Sequence, residues 1–518
     1  MLLSYSLVCG LILVKHAYCV NILYVDPVAS PSHHIWNEVL VSGLLEKGHN
    51  VTLIGHYDIR INSENYTLLK IEGVDAIYAN MDISDKVTTV KSSVMKLREI
   101  WDFITAFVDL DLNSSALEKL LEYPRNHFDL IIFDITSGQY LYPLIQYFEK
   151  PPVMAVAPIG LPPYILGAMG SHFYSYYPIY VTPYTDKMSF SQIVENFFLY
   201  TADFVFRNYY TASMKISATD RFGKDIVNFG EAERQIGILL ANYDPVTDFP
   251  QPLPPYIIPV GGLHVHRATN MSSKLQMILD KAPYGVIFFS LGTNVKSTWL
   301  TAETKKSILL AFRKLKQIVL WKYDGEDLKG IPENVIIEKW FSQNEILSHK
   351  NVELFISHCG GLSVKEAIYH GVPVVGMPIF LDQKAHAIRM EYKGLGRYLE
   401  VETMTSDSLY EAIQEVLNNP KYSQNMHKTS LAFRDWKETP LQRALFWVEY
   451  VLRHKNVNFL STSSREMNFF QRQNLDIILF LLLCSFAFVL TIKQIVPALF
   501  NVARFVIRKY KHRIRYTA

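Results

Sequence analysis

The 518-residue sequence predicts two doubly wound α/β domains in series, followed by one membrane-spanning helix. Three observations carry this expectation. A strand–helix–strand rhythm begins at Asn21, the same rhythm restarts after a proline-rich segment at Pro245–Pro259, and a long uncharged stretch near the C-terminus runs into basic residues. A chain of this length exceeds what one hydrophobic core ordinarily organises, so two domains with added segments are expected.

In chain order, Leu2–Val14 is a short apolar run followed by Ala17-Tyr18-Cys19, which fits signal cleavage before Val20, so residues 1–19 read as a signal peptide. The first domain, 20–245, opens with the apolar strand Ile22–Val25. A proline-containing loop leads to a helix with Trp36, Val39, Leu40 and Leu44 on one face, closed by Gly48, and the strand Val51–Ile54 follows. A further buried strand, Leu130–Phe133, ends in Asp134, with a helix expected after it. Between Phe173 and Tyr210, 14 of 38 residues are Phe or Tyr, too many for a solvated loop. They read either as core packing with some membrane-surface contact or as an aromatic wall for an apolar ligand. The second domain, 246–460, carries candidate strands at Val286–Phe289, Ile318–Trp321, Val335–Ile337, Leu354–Ile356 and Val374–Val375. Parallel sheets of this kind bind ligands at the carboxyl ends of their strands.

Near the C-terminus, Ile477–Ile492 gives 16 residues without a charge, about 24 Å of helix at ~1.5 Å per residue. Gln494–Ala503 is again uncharged, so a transmembrane helix over 475–500 is expected. Arg504, Arg508, Lys509, Lys511, Arg513 and Arg515 then mark 501–518 as a basic cytoplasmic tail. With the signal, this gives a single-pass type I topology with the body luminal. Sequons at Asn50, Asn65, Asn113 and Asn270 are compatible with that side of the membrane.

The formal charge of +2 is uneven. Seven basic and no acidic residues lie from Lys493 onward, so removing them leaves the rest at −5. That body has no basic excess for a phosphate backbone, which places nucleic acid outside the expected partners. Cys359 is the only cysteine outside the two terminal apolar stretches, so the body is not held by intrachain disulfides.

The residues richest in chemistry are Trp340-Phe341-Ser342-Gln343, then Phe355-Ile356-Ser357-His358-Cys359-Gly360-Gly361, Glu366, Gly371-Val372-Pro373, Pro378 and Asp382-Gln383. An apolar strand stops at Ser357-His358, a Gly-Gly turn exposes backbone, and a helix is expected to start near Ser363. Its free N–H groups and positive dipole end suit a diphosphate. Ser290, Gly292 and Thr293, after the strand ending in Phe289, are placed to form a second wall.

This array resembles the nucleotide-sugar signature of the UDP-glycosyltransferases, in the form found in insect members, and the resemblance extends over nearly the whole chain. It implies a GT-B architecture, two Rossmann-like domains facing a cleft, and transfer of a hexosyl group from a UDP-sugar to a small lipophilic acceptor, as in detoxification or hormone and pigment conjugation. The UDP-sugar is a co-substrate, and neither a cofactor nor a metal is implied. By the same resemblance Trp340 stacks on uracil, Gln343 and Glu366 bind ribose, His358 donates to phosphate, and Asp382 with Gln383 grip the sugar. A His after the first strand takes the acceptor proton and an Asp ending a later strand orients it. Of the adjacent His33 and His34, His33 matches the family's Ser-His, and Asp134 is its partner. Ser32 can cap the helix, placing His33 in the first turn, where the dipole favours the neutral imidazole that a base requires.

The chain departs from the commoner His-Gly-Gly pattern at Cys359, where a thiol is sterically tolerable but puts redox inertness in doubt. Leu362 and Ser363 stand where the vertebrate glucuronosyl-transferring branch usually has Asn and Gly, which favours UDP-glucose. The resemblance places the protein in the endoplasmic-reticulum membrane and leaves self-association into a homo-oligomer open. Two rival readings stand beside it. One is a catalytically silent luminal binding protein of the same fold. The other is a metal-dependent transferase resting on Asp109 and Asp111, which otherwise read as solvated helix acids.

Overall fold

The computed structural model describes residues 19–59, 61–80, 92–266, 271–326, 328–379 and 381–515. The expected signal segment apart from Cys19, the sequon at Asn270 and the last three residues of the tail lie outside these. The described residues form two compact units. The larger contains Phe173–Ser461 and everything described before Gly170, and the smaller contains Gly170–His172 and the chain from Thr462 onward.

Seven parallel strands make the first sheet of the larger unit: β1 (Asn21–Asp26), β2 (Asn50–Gly55), β3 (Tyr66–Lys70), β4 (Leu130–Asp134), β5 (Val153–Ala157), β6 (Ile236–Ala241) and β7 (Ile257–Pro259), in the order β3-β2-β1-β4-β5-β6-β7. β4 and β5 are buried at every residue, as central strands covered on both faces must be. The side-chain period of two divides them between two cores. Leu23, Val25, Ile131 and Phe133 face one side, and Ile22, Tyr24, Leu130 and Ile132 the other.

The second sheet repeats the plan with β8 (Val286–Ser290), β9 (Ile318–Lys322), β10 (Val335–Glu338), β11 (Val352–Ser357), β12 (Val374–Gly376) and β13 (Gly396–Tyr398), in the order β10-β9-β8-β11-β12-β13. In each sheet the strand order reverses between the first and fourth strands, β1 and β4 in one, β8 and β11 in the other. That reversal leaves a crevice at the carboxyl ends, because the crossovers on its two sides run to opposite faces.

The expected division at 245/246 shifts. The proline-rich segment is not a free linker: Ile257–Pro259 pairs with β6 in the first sheet, with Pro259 at the edge where its missing N–H costs no ladder bond. The far boundary moves too. The helix Pro440–His454 returns to the first half and buries Ala444, Val448 and Val451 in the core that covers β1 and β2. Arg443 Nη1 donates to the Pro259 carbonyl at 3.1 Å, and His49 meets Glu449 at 3.0 Å.

One further expectation is corrected. Asp111 is not a solvated helix acid: it is fully buried, accepts from Tyr140 Oη at 2.6 Å and faces His56 Nε2 at 3.3 Å. The helix expected after Asp134 is the short Pro143–Tyr147, preceded by a 3-10 turn at Gln139–Leu141. The aromatic segment leads into the helix Phe190–Phe222, started by a capping box between Ser189 and Gln192. Of the sequons, Asn65 and Asn113 are exposed, while Asn50 lies in β2 with its amide donating to Asn21 Oδ1 at 2.9 Å.

In the smaller unit the helix Leu475–Arg515 is the one described helix long and apolar enough to cross a membrane, over Leu475–Lys511. Helix continues through the basic segment expected as a separate tail. Pro497 lies inside it, and its lack of an N–H releases the carbonyl one turn earlier, at Lys493.

Candidate functional site

The carboxyl ends of both sheets open onto one cleft of about 450 Å³. Of the thirteen site residues expected from sequence, His33, Ser290, Gly292, Thr293, Trp340, Gln343, His358, Gly360, Ser363, Glu366, Asp382 and Gln383 line it. Asp134 is the exception and lies behind His33 with no exposure.

The first switch point builds the His33 pair. The first helix, Pro31–Glu46, begins with Pro31 at its first turn and Ser30 at the N-cap position. The expected capping role of Ser32 is therefore not found, because Ser32 is already inside the helix, where its Oγ meets Ser30 Oγ at 3.0 Å. His33 remains in the first turn. Its Nδ1 donates to Asp134 Oδ2 at 2.9 Å, which leaves Nε2 as the lone-pair nitrogen. Asp134 is fixed by two further donors, one of them held in turn. Asn37 Nδ2 donates to Oδ2 at 3.3 Å, Thr136 N to Oδ1 at 3.0 Å, and Asn37 is itself held by Tyr24 Oη at 2.9 Å.

Burial opposes charging His33, but the Asp134 carboxylate outweighs it and raises the pKa above the ordinary 6.5. Helix position alone thus does not decide the imidazole's charge, because a full carboxylate charge at hydrogen-bond distance exceeds a partial helix dipole. Asp382 adds to the same effect from the other domain. His34 points elsewhere: its Nδ1 lies 3.4 Å from Asp26 Oδ2 and its Nε2 3.0 Å from the Asp58 carbonyl.

At the second switch point the helix Gly361–His370 starts two residues before Ser363, with Gly360 at the N-cap position. The His358 ring is wedged between two glycines. A Cβ on Gly292 would fall 2.4 Å from its Cε1, and one on Gly360 2.5 Å from its Nε2, so neither position accepts a side chain. Burial, with Lys322 and His386 nearby, pushes the His358 pKa down to about 3, so the ring is neutral and one nitrogen carries a hydrogen to donate. Its Nδ1 is buried without a partner.

Gln343 Nε2 reaches Ser363 Oγ at 2.9 Å and also bonds Glu366. Burial raises the Glu366 pKa to about 7 against the Gln343 bond. Trp340 is 60% exposed and so is not a core residue. Asp382 makes no side-chain capping bond to the helix Gln383–Tyr392 and faces His386 Nε2 at 3.6 Å. Gln383 Oε1 accepts from Ile379 N at 2.8 Å.

The segment left open between core packing and an aromatic wall contributes little to this cleft. Within Phe173–Tyr210 only Tyr180 lines this cleft; the apolar side is made by Val28, Ile100, Phe103, Ile104, Phe107, Ile159 and Tyr164. Sequence reading missed Lys322, whose Nζ donates to the Gly292 carbonyl at 2.6 Å and lies 5.4 Å over the Trp340 ring. A lysine ending an otherwise apolar strand was the available signal. Asn37 and Asn294 gave none, because an asparagine on a helix or in a loop is unremarkable until its partners are known. Among the described residues no group of three or more His, Cys, Asp or Glu side chains is arranged to hold a metal.

Two doubly wound sheets with a shared cleft, a helix N-terminus on one side and a His–Asp pair on the other, define a group transferase of the GT-B architecture. Solved structures share it. Spinosyn forosaminyltransferase SpnP matches with a TM-score of 0.57 at 13% identity over 84% of this chain and 100% of that one. A UDP-glucosyltransferase from Polygonum tinctorium, in complex with 3,4-dichloroaniline, matches at 0.52 with 15% identity over 84% and 99%. The chain belongs to the UDP-glucoronosyl and UDP-glucosyl transferase family, whose model matches residues 22–512. UDP-glucosyltransferase 2 of Dactylopius coccus is 30% identical over 93% of both chains, and UDP-glucuronosyltransferase 2B30 of Macaca fascicularis 30% identical over 92% of both.

Proposed function

We propose that the protein transfers glucose from UDP-glucose, with inversion, to the hydroxyl of a small lipophilic acceptor. The observation that carries the reading is the His33–Asp134 bond at the mouth of an apolar pocket, opposite the helix N-terminus at Gly361. The acceptor lies among Ile100, Phe103, Ile104 and Phe107 with its hydroxyl toward His33. His33 Nε2 removes the proton while the oxygen attacks the anomeric carbon, and Asp134 stabilises the imidazolium that forms. UDP leaves from the opposite face of the sugar. Its diphosphate is held by the N–H groups of Gly361–His370 and by neutral His358, its ribose by Gln343 and Glu366, and its uracil on Trp340, a stacking worth ~1–3 kcal/mol. Asp382 and Gln383 take the sugar hydroxyls. Glucose in preference to glucuronate rests on Leu362 and Ser363 and on the carboxylate of Asp382 in the cleft, which disfavours a second carboxylate in the sugar.

The body is luminal in the endoplasmic reticulum, anchored by Leu475–Lys511 with the basic end cytosolic. The test is UDP release by microsomes carrying the chain, with UDP-glucose or UDP-glucuronate against a panel of lipophilic phenols and alcohols. Turnover with UDP-glucose is expected, and Trp340→Ala and His358→Ala should weaken UDP binding. Preference for UDP-glucuronate would overturn the sugar assignment, and no release with either donor would favour a silent binding protein.

A further inference from the structure

We propose that Asn294 is a positioning residue that ties the donor-side loop after β8 to the first turn of the His33 helix, so that filling the donor site fixes the base. Its side chain crosses the cleft. Nδ2 donates to Ser30 Oγ at 2.9 Å and lies 3.3 Å from Ser32 Oγ, while Ser30 Oγ lies 3.2 Å from Asn294 Oδ1. Ser30 and Ser32 are 3.0 Å apart and flank Pro31, and His33 is the next residue. Ser30 occupies the N-cap position yet makes no capping bond to its own helix. Its hydroxyl is committed to the other domain, at the expense of a bond that commonly stabilises a helix start.

The opposite end of the same loop is built into the donor side. Ser290 Oγ holds Gly292 N at 3.1 Å, Lys322 Nζ holds the Gly292 carbonyl at 2.6 Å, and Gly292 leaves no room for a Cβ against the His358 ring. Only Thr293 separates Gly292 from Asn294. A ligand that moves Gly292 or His358 by a fraction of an ångström therefore moves Asn294, and through two hydroxyls the turn that aims His33. An amide suits this because it presents donors and an acceptor to two hydroxyls and carries no charge that would compete with Asp134 for His33.

The proposal rests on the functional reading above, and its test separates the two. With the full chain in detergent, Asn294→Ala should lower kcat on the order of tenfold or more through misplacement of the base, with the Kd for UDP unchanged within about twofold. The Ser30→Ala/Ser32→Ala variant should lose about as much, and the triple variant little more, since groups acting as one unit do not add. Hydrogen exchange read without turnover gives the second arm: UDP should slow exchange of amides in 33–41 in the natural protein and not in Asn294→Ala. Three results would overturn the proposal: UDP affinity that falls in step with rate, which makes Asn294 a direct ligand, losses that multiply, or UDP protection that is absent from the natural protein or equal in both. If no sugar is transferred at all, the functional reading fails while the exchange experiment still decides the link.

Discussion

His33 and His34 are neighbours in sequence, and each meets a buried carboxylate, yet only His33 lines the cleft. With Nδ1 committed to Asp134, the neutral ring presents the lone pair of Nε2, and on the proposed role of His33 as base the raised pKa fixes how its availability depends on pH. A base must be deprotonated, so kcat/KM should climb as pH rises through a value above 6.5 and then level. Asp134→Asn removes the charge that holds the pKa up, so the ascending limb should move to lower pH while the plateau rate falls. A limb that stays put in Asp134→Asn would show that another group sets the profile. Cys359 is the other residue whose chemistry the structure decides. It is a non-glycine at φ 60°, with its Sγ packed where a Cβ on Gly376 would approach to 2.8 Å. Burial pushes the thiol up to about 12 and the side chain has no exposure, which keeps it as a thiol and out of contact with solvent, against the redox reactivity that sequence left open. Cys359→Gly relieves left-handed strain of ~1–2 kcal/mol but loosens the unfolded chain by ~0.5–1 kcal/mol and gives up the thiol's packing. Stability by chemical denaturation should thus stay within about 1 kcal/mol, whereas Cys359→Val, β-branched at positive φ, should cost several times that.

At the scale of elements, the helix Pro440–His454 shows what holds the two halves together. By sequence position it follows the second sheet, yet its Ala444, Val448 and Val451 are buried with Ile22, Leu40 and Val51 of the first half. Leu441 and Leu445 lie over Gly43 of the first helix, where a Cβ would come within 3.1 Å of each. Val448→Ala should therefore lower stability by about 2 kcal/mol through a cavity in the first domain's core, with UDP affinity unchanged because the helix lies away from the cleft. A loss of UDP affinity before any loss of fold would place this helix in the donor site instead. This return was not legible in the sequence: amphipathic spacing shows that the helix has an apolar face but not which sheet it covers. β3 and β7 were hidden for related reasons. β3 is an edge strand whose exposed Thr67 and Lys70 dilute its apolar pattern, and β7 is three residues inside a proline-rich run. The central strands β1, β4, β8 and β11 were legible because burial on both faces demands unbroken apolar runs, and the residues just past their ends carry the site. Lys322 and Asn294 were not, since each bonds a backbone carbonyl or a hydroxyl that only the fold brings near.

On the scale of the whole chain, the cleft and the anchor make separate demands that a single topology meets. The residues that line the cleft all lie in the larger unit, at the ends of the strands of its two sheets and on the loops and helices that follow them. The side chains of the helix Leu475–Arg515 from Ile477 to Leu490 are exposed, which a helix of this apolar character tolerates only in contact with lipid or another apolar surface. Basic residues lie at one end, from Arg504 to Arg515, and a positive flank of this density is retained on the cytosolic side. On the proposed topology the body on the other flank is luminal. In sealed microsomes, added protease should shorten the chain by a few kilodaltons at most, the basic end alone being reachable, and detergent should open the rest. Exposed Asn65 and Asn113 supply an independent reading, because glycan acceptance at either occurs only in the lumen. Asn65→Gln and Asn113→Gln should each remove a mobility shift that endoglycosidase also removes. Full digestion in sealed vesicles together with no glycan at either asparagine would place the body in the cytosol and reverse the topology.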